Sequence, residues 1–357
     1  MIRIKYNFLE KDDSRLFHMD IIRSIAIFFM VLSHIELSFA SDEFYNSGIG
    51  MAIDFMAGAP AAPVFMVSMG FLLVYTGKTD LKEGIKRGVK IIALGLLLNV
   101  LRYVVPALLG KALNLFENAW YSESFGTNII FLLLEVDILY CAGFAYIILI
   151  ILLQFRPKIM LPISFFAIAI FAPFLWGINT GFIPLDIFLN LLWGTNAYVY
   201  FTQFAWLCFP ILGAWIGVYL GIWGEEKRKG ILNGADIQHV EQKGKKISLF
   251  AIILILLGLF LTLIVGNQYY DYYRSGPGIT FLMAGFVIIW MLFFLNMSKF
   301  VAEKFGKLRN HIVFVSKNLT SIYCIHWTIL GWFYLFLEEN AYDGTGFLII
   351  FLIVYPS

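Results

Sequence analysis

Arg23 and His34 stand eleven residues apart in the first apolar run of this chain. Eleven helical steps of about 100° return the azimuth to within roughly 20°, so both side chains share one stripe of a helix, roughly 16 Å apart along its axis. A guanidinium holds anions and an imidazole titrates near neutral pH, so this stripe offers an anion site at one end and a general base further in. Each residue alone has a plain structural reading: Arg23 reaches lipid headgroups, and His34 hydrogen-bonds a neighbouring helix. Both together on an otherwise apolar helix weigh towards chemistry.

Further polar groups punctuate this and the other apolar runs: Asp20, Asp54, Ser68, Asn99, Arg102, Glu135, Asp137, Gln203, Asn318 and His326. Ionisable groups are costly in a membrane and are retained where they act or pair. Asp54 and Arg102 can equally sit at the membrane interface. Carboxylates beside basic groups suit an acid–base enzyme or a proton relay, and this set does not choose between them. Arg87 and Lys90, nearly one helical turn apart, could cradle a phosphate, whereas Lys86 reads as an ordinary loop charge.

These groups must be positioned by membrane helices. The 357 residues are 60% apolar, 18% aromatic and only 14% charged, with a mean hydropathy of +0.81, which excludes a water-soluble fold. Stretches long enough to span a bilayer fall at 18–40, 51–77, 88–110, 128–154, 159–177, 198–223, 247–266, 279–298 and 311–337. A tenth begins near Phe347 and is still apolar at Ser357, so the protein is expected to continue beyond the sequence given. The expected fold is all-α and polytopic, with about ten transmembrane helices, nine complete and one truncated. Residues 182–193 read as an interfacial or re-entrant helix, or as a loop.

Alternate connections (1–17, 78–90, 155–158, 225–246 and 299–317) hold 22 of the 26 Lys and Arg, which predicts a cytoplasmic N-terminus. The expected organisation is a cytoplasmic segment 1–17 and a single transmembrane domain 18–357 with a cytoplasmic loop at 224–246. No cleavable signal peptide is visible. Cys141, Cys208 and Cys324 read as packing residues, with no metal site and no disulfide framework. A net charge of +2 and the lack of a basic tract set nucleic acid aside. Trp120, Tyr121, Trp176, Trp193, Tyr198 and 269–273 read as aromatic belts with no chemistry. The glycosylation pattern at Asn318 is discounted because it falls at the cytoplasmic start of a span.

Several of these runs resemble one family. Met19 to Ala26, with Arg23 and His34 following, is similar to the opening LDxxRGIA and first-helix signature of the transmembrane acyltransferases, the superfamily of the acyltransferase 3 and heparan-α-glucosaminide N-acetyltransferase-like proteins; Ser24 stands where Gly is usual. Pro63 to Leu72 resembles PxFxFxxGxxL. Lys86 to Asn99 resembles RRxxxLxxxGLLLN, with Lys90 where some members carry a second Arg. Val136 to Gly143 resembles VDILxxIG, Phe209 to Gly221 resembles FPxxGxxxxGxxLG, and Ile322 to His326 resembles IYxxH. The likeness covers about residues 15–335 in the family's order.

The resemblance implies an integral membrane acyltransferase, in a bacterial inner membrane, moving an acyl group, most often acetyl, from acyl-CoA to a hydroxyl or amine of a carbohydrate acceptor. His34 is then the general base. Asp54 orients His34 or the acceptor, and Arg23, Arg87 and Lys90 hold the donor's phosphates. Asp20, Ser68, Asn99, Asp137 and His326 are expected around them. Acyl-CoA is a co-substrate, no metal is implied, and a homodimer is left open. The rival reading is a proton-coupled transporter or exporter using His34, Asp54, Glu135 and Asp137; no matched pair of broken helices between the halves supports it. A third, an assembly subunit, leaves the buried charges without a purpose. The acyltransferase reading expects one cavity joining Arg23 to His34.

Overall fold

The computed structural model describes residues 16–113, 129–130, 132–194, 199–223, 237–265 and 272–355. The segment 1–15, residues 224–236 of the basic loop, and Trp120, Tyr121, Tyr198, Tyr269 and Tyr270 lie outside the described residues. In a medium without hydrogen-bonding solvent each segment must satisfy its own backbone, which selects helices. Among the described residues, β structure is confined to two isolated bridges.

The chain opens with α1 (Phe17–Phe39), α2 (Asp42–Tyr45), α3 (Gly48–Met56) and α4 (Ala62–Thr76), the last two joined by a π-helical turn at Ala57–Ala61. α5 (Leu81–Asn99) runs through a second π turn, Val100–Val104, into α6 (Val105–Ala112). Then follow α7 (Ile138–Gln154), α8 (Pro157–Leu175), α9 (Ile183–Trp193), α10 (Gln203–Trp206) and α11 (Cys208–Leu220). The last helices are α12 (Ile237–Val265), α13 (Pro277–Lys304), α14 (Gly306–Lys317), α15 (Leu319–Phe333) and α16 (Gly344–Val354). Among the described residues, five helical stretches are long and apolar enough to cross a membrane: Phe17–Phe39, Leu81–Ala112, Pro157–Leu175, Gln242–Ile264 and Pro277–Lys304. Four apolar helices are shorter: Ala62–Thr76, Ile138–Gln154, Cys208–Leu220 and Gly344–Val354.

Three expected spans change shape, 198–223 among them, where irregular residues 199–202 and the four-residue α10 precede α11. The stretch 128–154 is not one helix, because residues 135–137 are extended and the carbonyl of Val136 accepts from Tyr200 N and Phe201 N at 3.1 and 3.3 Å. The Asp137 carboxylate then accepts from Ile138 N at 2.6 Å, capping α7 and fixing where it starts. The stretch 311–337 is divided at Asn318, whose side-chain amide donates to the Phe314 carbonyl at 2.9 Å and ends α14 before α15 begins. Residues 183–193 do form a helix, α9, of 11 residues.

Both π turns have a cause in proline. Pro106 has no N–H to offer the carbonyl of Arg102 four residues back, so the helix widens there, and Val105 N reaches the Val100 carbonyl. Leu101's carbonyl is taken up by Trp332 Nε1 at 3.1 Å. Pro60 lies within the other π turn and likewise has no N–H for the carbonyl of Met56.

α1 lies at the centre, in contact with α3, α4, α13, α14, α15, α16 and the first π turn. α4 crosses α11 so closely that a Cβ on Gly70 would strike the Pro210 carbonyl, and one on Gly213 would strike that of Val67. Small residues at a crossing let backbones touch, the main source of helix association where no hydrophobic force acts between helices. Because both obstacles are backbone, neither can swing aside. Gly213→Val is expected to cost about 3 kcal/mol through overpacking and to lower the thermal midpoint in detergent. An unchanged midpoint would mean the helices have room to part.

Candidate active site

α1 brings His34 partway along its length to the wall of two adjoining cavities, of about 460 and 270 Å³. Both are lined by His34, Leu37, Phe201 and Tyr273. The larger one also reaches Asp54 on α3, Tyr45, Tyr272, Tyr323 and Gly58 of the first π turn. The smaller one reaches Arg102 of the second π turn, Glu135, Asp137, Trp327 and Glu339. Each π turn therefore faces the space around His34.

The His34 ring is oriented by α15. Its Nδ1 lies 2.8 Å from Nε2 of His326, and His326 Nδ1 lies 3.0 Å from the carbonyl of Ile322, one helical turn back. A carbonyl only accepts, so His326 donates from Nδ1, and its Nε2 is left as the acceptor for His34 Nδ1–H. This sequence of bonds leaves the lone pair of His34 on Nε2. Trp327 packs on the His34 ring with centroids 4.2 Å apart.

The second cluster is ionic. Arg102 is buried, with 1% of its surface exposed. Its Nη2 donates to Glu135 Oε1 at 3.0 Å and to Asn99 Oδ1 at 2.8 Å, and Nε donates to the same Asn99 oxygen at 3.1 Å. Nη1 lies 2.9 Å from Asp137 Oδ2, an ion pair whose geometry falls short of a hydrogen bond. Asn99 in turn donates to the carbonyls of Leu133 and Glu135, each at 3.0 Å, which pins the extended segment to α5. Tyr103 OH donates to Glu135 Oε1 at 3.0 Å, and Tyr323 OH donates to Asp137 Oδ2 at 2.6 Å. Trp327 Nε1 donates to Tyr323 OH at 3.0 Å, and the Arg102 guanidinium lies 4.7 Å from the Trp327 ring centroid. Tyr323, His326 and Trp327, at i, i+3 and i+4 on one face of α15, thus join the imidazole pair to the charge cluster.

Of the residues singled out from the sequence, His34, Asp54, Asp137, Asn99 and His326 gather in this region. The bond at His34 Nδ1 goes to His326, while Asp54 lies on the wall of the same cavity. Ser68 Oγ is buried and donates to the carbonyl of Phe65 in its own helix. Asp20 is buried and accepts from Ser316 Oγ at 2.6 Å, with Ser24 Oγ donating to the Ile312 carbonyl at 2.9 Å; these tie α1 to α14. Arg23 is partly exposed, Arg87 is exposed with Nη1 donating to Tyr146 OH at 3.3 Å, and Lys90 is exposed. None of the three lines a cavity that contains His34. The cavities that contain His34 do not reach Arg23, and beside the larger one lies a small void of about 10 Å³ between Ala26, Ile27, Met30, Phe65, Ile138, Leu319 and Tyr323. Ala26 and Ile27 on its wall are both buried.

Arg102 is buried in the protein core among acids, and one reading from the sequence needs correction: Tyr272 and Tyr273 line the His34 cavity instead of serving only as a belt. Tyr323 stood out only as a letter of the IYxxH motif, and Trp327 did not stand out. Their signal was position, three residues before His326 and one after it on a helix already suspected. Among the described residues no cluster of His, Cys, Asp and Glu could hold a metal.

The family model Acyl_transf_3, described as an acyltransferase domain, matches residues 17–357. No curated protein and no solved structure matches the chain. A match over nearly the whole length, on a helical chain with membrane-length apolar helices, places it: this protein belongs to the acyltransferase 3 family and is by family a membrane acyltransferase.

Proposed function

We propose that this protein transfers an acyl group, in the first instance acetyl, from an acyl-CoA thioester to a hydroxyl or amine of a carbohydrate acceptor, with His34 as general base. The supporting observation is the bonding sequence Ile322 carbonyl, His326, His34, which commits His34 Nδ1 and leaves Nε2 as a base on a cavity wall. In the reaction, Nε2 takes the acceptor's proton as its oxygen or nitrogen attacks the thioester carbonyl. The carbon–sulfur bond breaks, and the departing thiolate recovers the proton from the imidazolium. Since His326 already occupies Nδ1, the role left for Asp54 is to hold the acceptor. Arg23, Arg87 and Lys90 are assigned to the donor's phosphates outside the cavity, at a cytoplasmic surface of a bacterial inner membrane.

The transporter reading loses ground on geometry. Glu135 and Asp137 are bound to Arg102, so neither carboxylate is free to pass protons along a path. The donor's arm is assigned a route through the small void, which adjoins the larger cavity at Met30, Ile138 and Tyr323 and would have to widen.

Three outcomes are expected, measured as thiol release and labelled-acetyl transfer by purified protein in detergent. His34→Ala lowers turnover at least about 10²-fold with an unchanged thermal midpoint; full activity in that variant would end the general-base assignment. His326→Ala lowers kcat by about 10- to 100-fold, and His326→Gln, which keeps an acceptor, recovers part of it; equal loss in both would argue that His326 only fills space. Met30→Trp raises KM for acyl-CoA while His34 and its partners stay intact, and an unaltered KM would send the donor by another route.

A further inference from the structure

The two cavities around His34 carry an unbalanced set of charges. Among the described residues their walls include Asp54, Glu135, Asp137 and Glu339 against a single Arg or Lys, Arg102. That cation is already spent: Glu135 and Asp137 lie 3.0 and 2.9 Å from its two outer nitrogens, so the Arg102 cluster offers no net positive charge to the cavity. Asp54 and Glu339, on α3 and on the connection between α15 and α16, are both exposed and add two further negative charges. Low-dielectric walls focus such a field into the space they enclose. The remaining surface is rich in tyrosine rings, whose faces attract cations in the same way.

Resting on the acyl-transfer reading, we propose that this cavity selects an acceptor bearing a positive charge, an amino sugar or other amine, and repels uronates and phosphorylated sugars. Asp54 and Glu339 are the specificity-determining residues. The same field separates the two ends of the donor: the uncharged pantetheine arm can enter the cavity, whereas the phosphates stay outside, where Arg23, Arg87 and Lys90 lie. An ammonium beside Asp54 leaves a neighbouring hydroxyl, or the amine once deprotonated, to present its proton to His34.

The test needs no turnover. Leu37 lines both cavities and is 52% exposed, so Leu37→Cys in a Cys324→Ser background places a thiol at their junction. Its thiolate attacks the sulfenyl sulfur of a methanethiosulfonate, forming a disulfide and releasing methanesulfinate. Rates with a trimethylammonium reagent and with a sulfonate reagent are each normalised to the rate with a small free thiol. The cationic reagent is expected to be favoured at least about 10-fold, and Asp54→Asn with Glu339→Gln is expected to remove most of that preference. Millimolar methyl glucosaminide is expected to protect the thiol where methyl glucuronide does not. Equal normalised rates, a preference for the sulfonate, or equal protection by the two glycosides would overturn the proposal. A cationic preference in a protein that transfers no acyl group to any glycoside would instead overturn the acyl-transfer reading and leave the charge selection standing.

Discussion

A guanidinium without water must find its charge elsewhere, and the arrangement around His34 follows from how Arg102 does so. Removing an ion from water costs several kcal/mol even after relaxation, so an isolated arginine here would not be tolerated. Glu135, Asp137 and Asn99 surround it, and reaching it forces residues 135–137 out of helical conformation. The extended segment in turn sets the start of α7 through the Asp137 cap. Tyr323 closes the cluster from α15, which fixes the rotation of that helix about its axis and with it the direction of His326.

The π turn at Val100–Val104 belongs to the same constraint. A regular helix would carry Arg102 at another azimuth; the extra residue, made necessary by Pro106, turns it towards the acids. Gly331 of α15 lets that helix sit directly on the Arg102 backbone, where a Cβ would meet its carbonyl. Charge pairing, helix widening and close backbone contact therefore act on one residue. A site built this way is rigid where His34 is oriented, and exposed at Asp54 and Glu339 where a substrate would arrive.

Much of this was present in the sequence as an inventory. His34, Asp54, Asn99, Arg102, Glu135, Asp137 and His326 all stand out as polar groups in apolar runs, because the cost of transferring them to lipid makes each one conspicuous. Their pairings did not stand out. The helical stripe of Arg23 and His34 is real local geometry, yet the partner of His34 lies 292 residues away and Arg23, Arg87 and Lys90 fall outside its cavity. The breaks at 135–137 and Asn318 were hidden for a related reason: both lie inside apolar stretches whose average hydropathy carries no trace of a single capping side chain.

Residence in a membrane, helical class and the approximate limits of the spans depend on composition and short-range periodicity, and both are properties of consecutive residues. Family membership was legible for the same reason, as ordered short motifs. Which imidazole meets which, where a buried arginine finds its acids and which face of a tyrosine pair borders a cavity are set by helix crossings, and these depend on glycines and backbone carbonyls meeting between segments far apart in the chain. No local pattern encodes such distances. Only the folded molecule could decide that His34 is held by His326, because that bond exists only when α1 and α15 are already side by side.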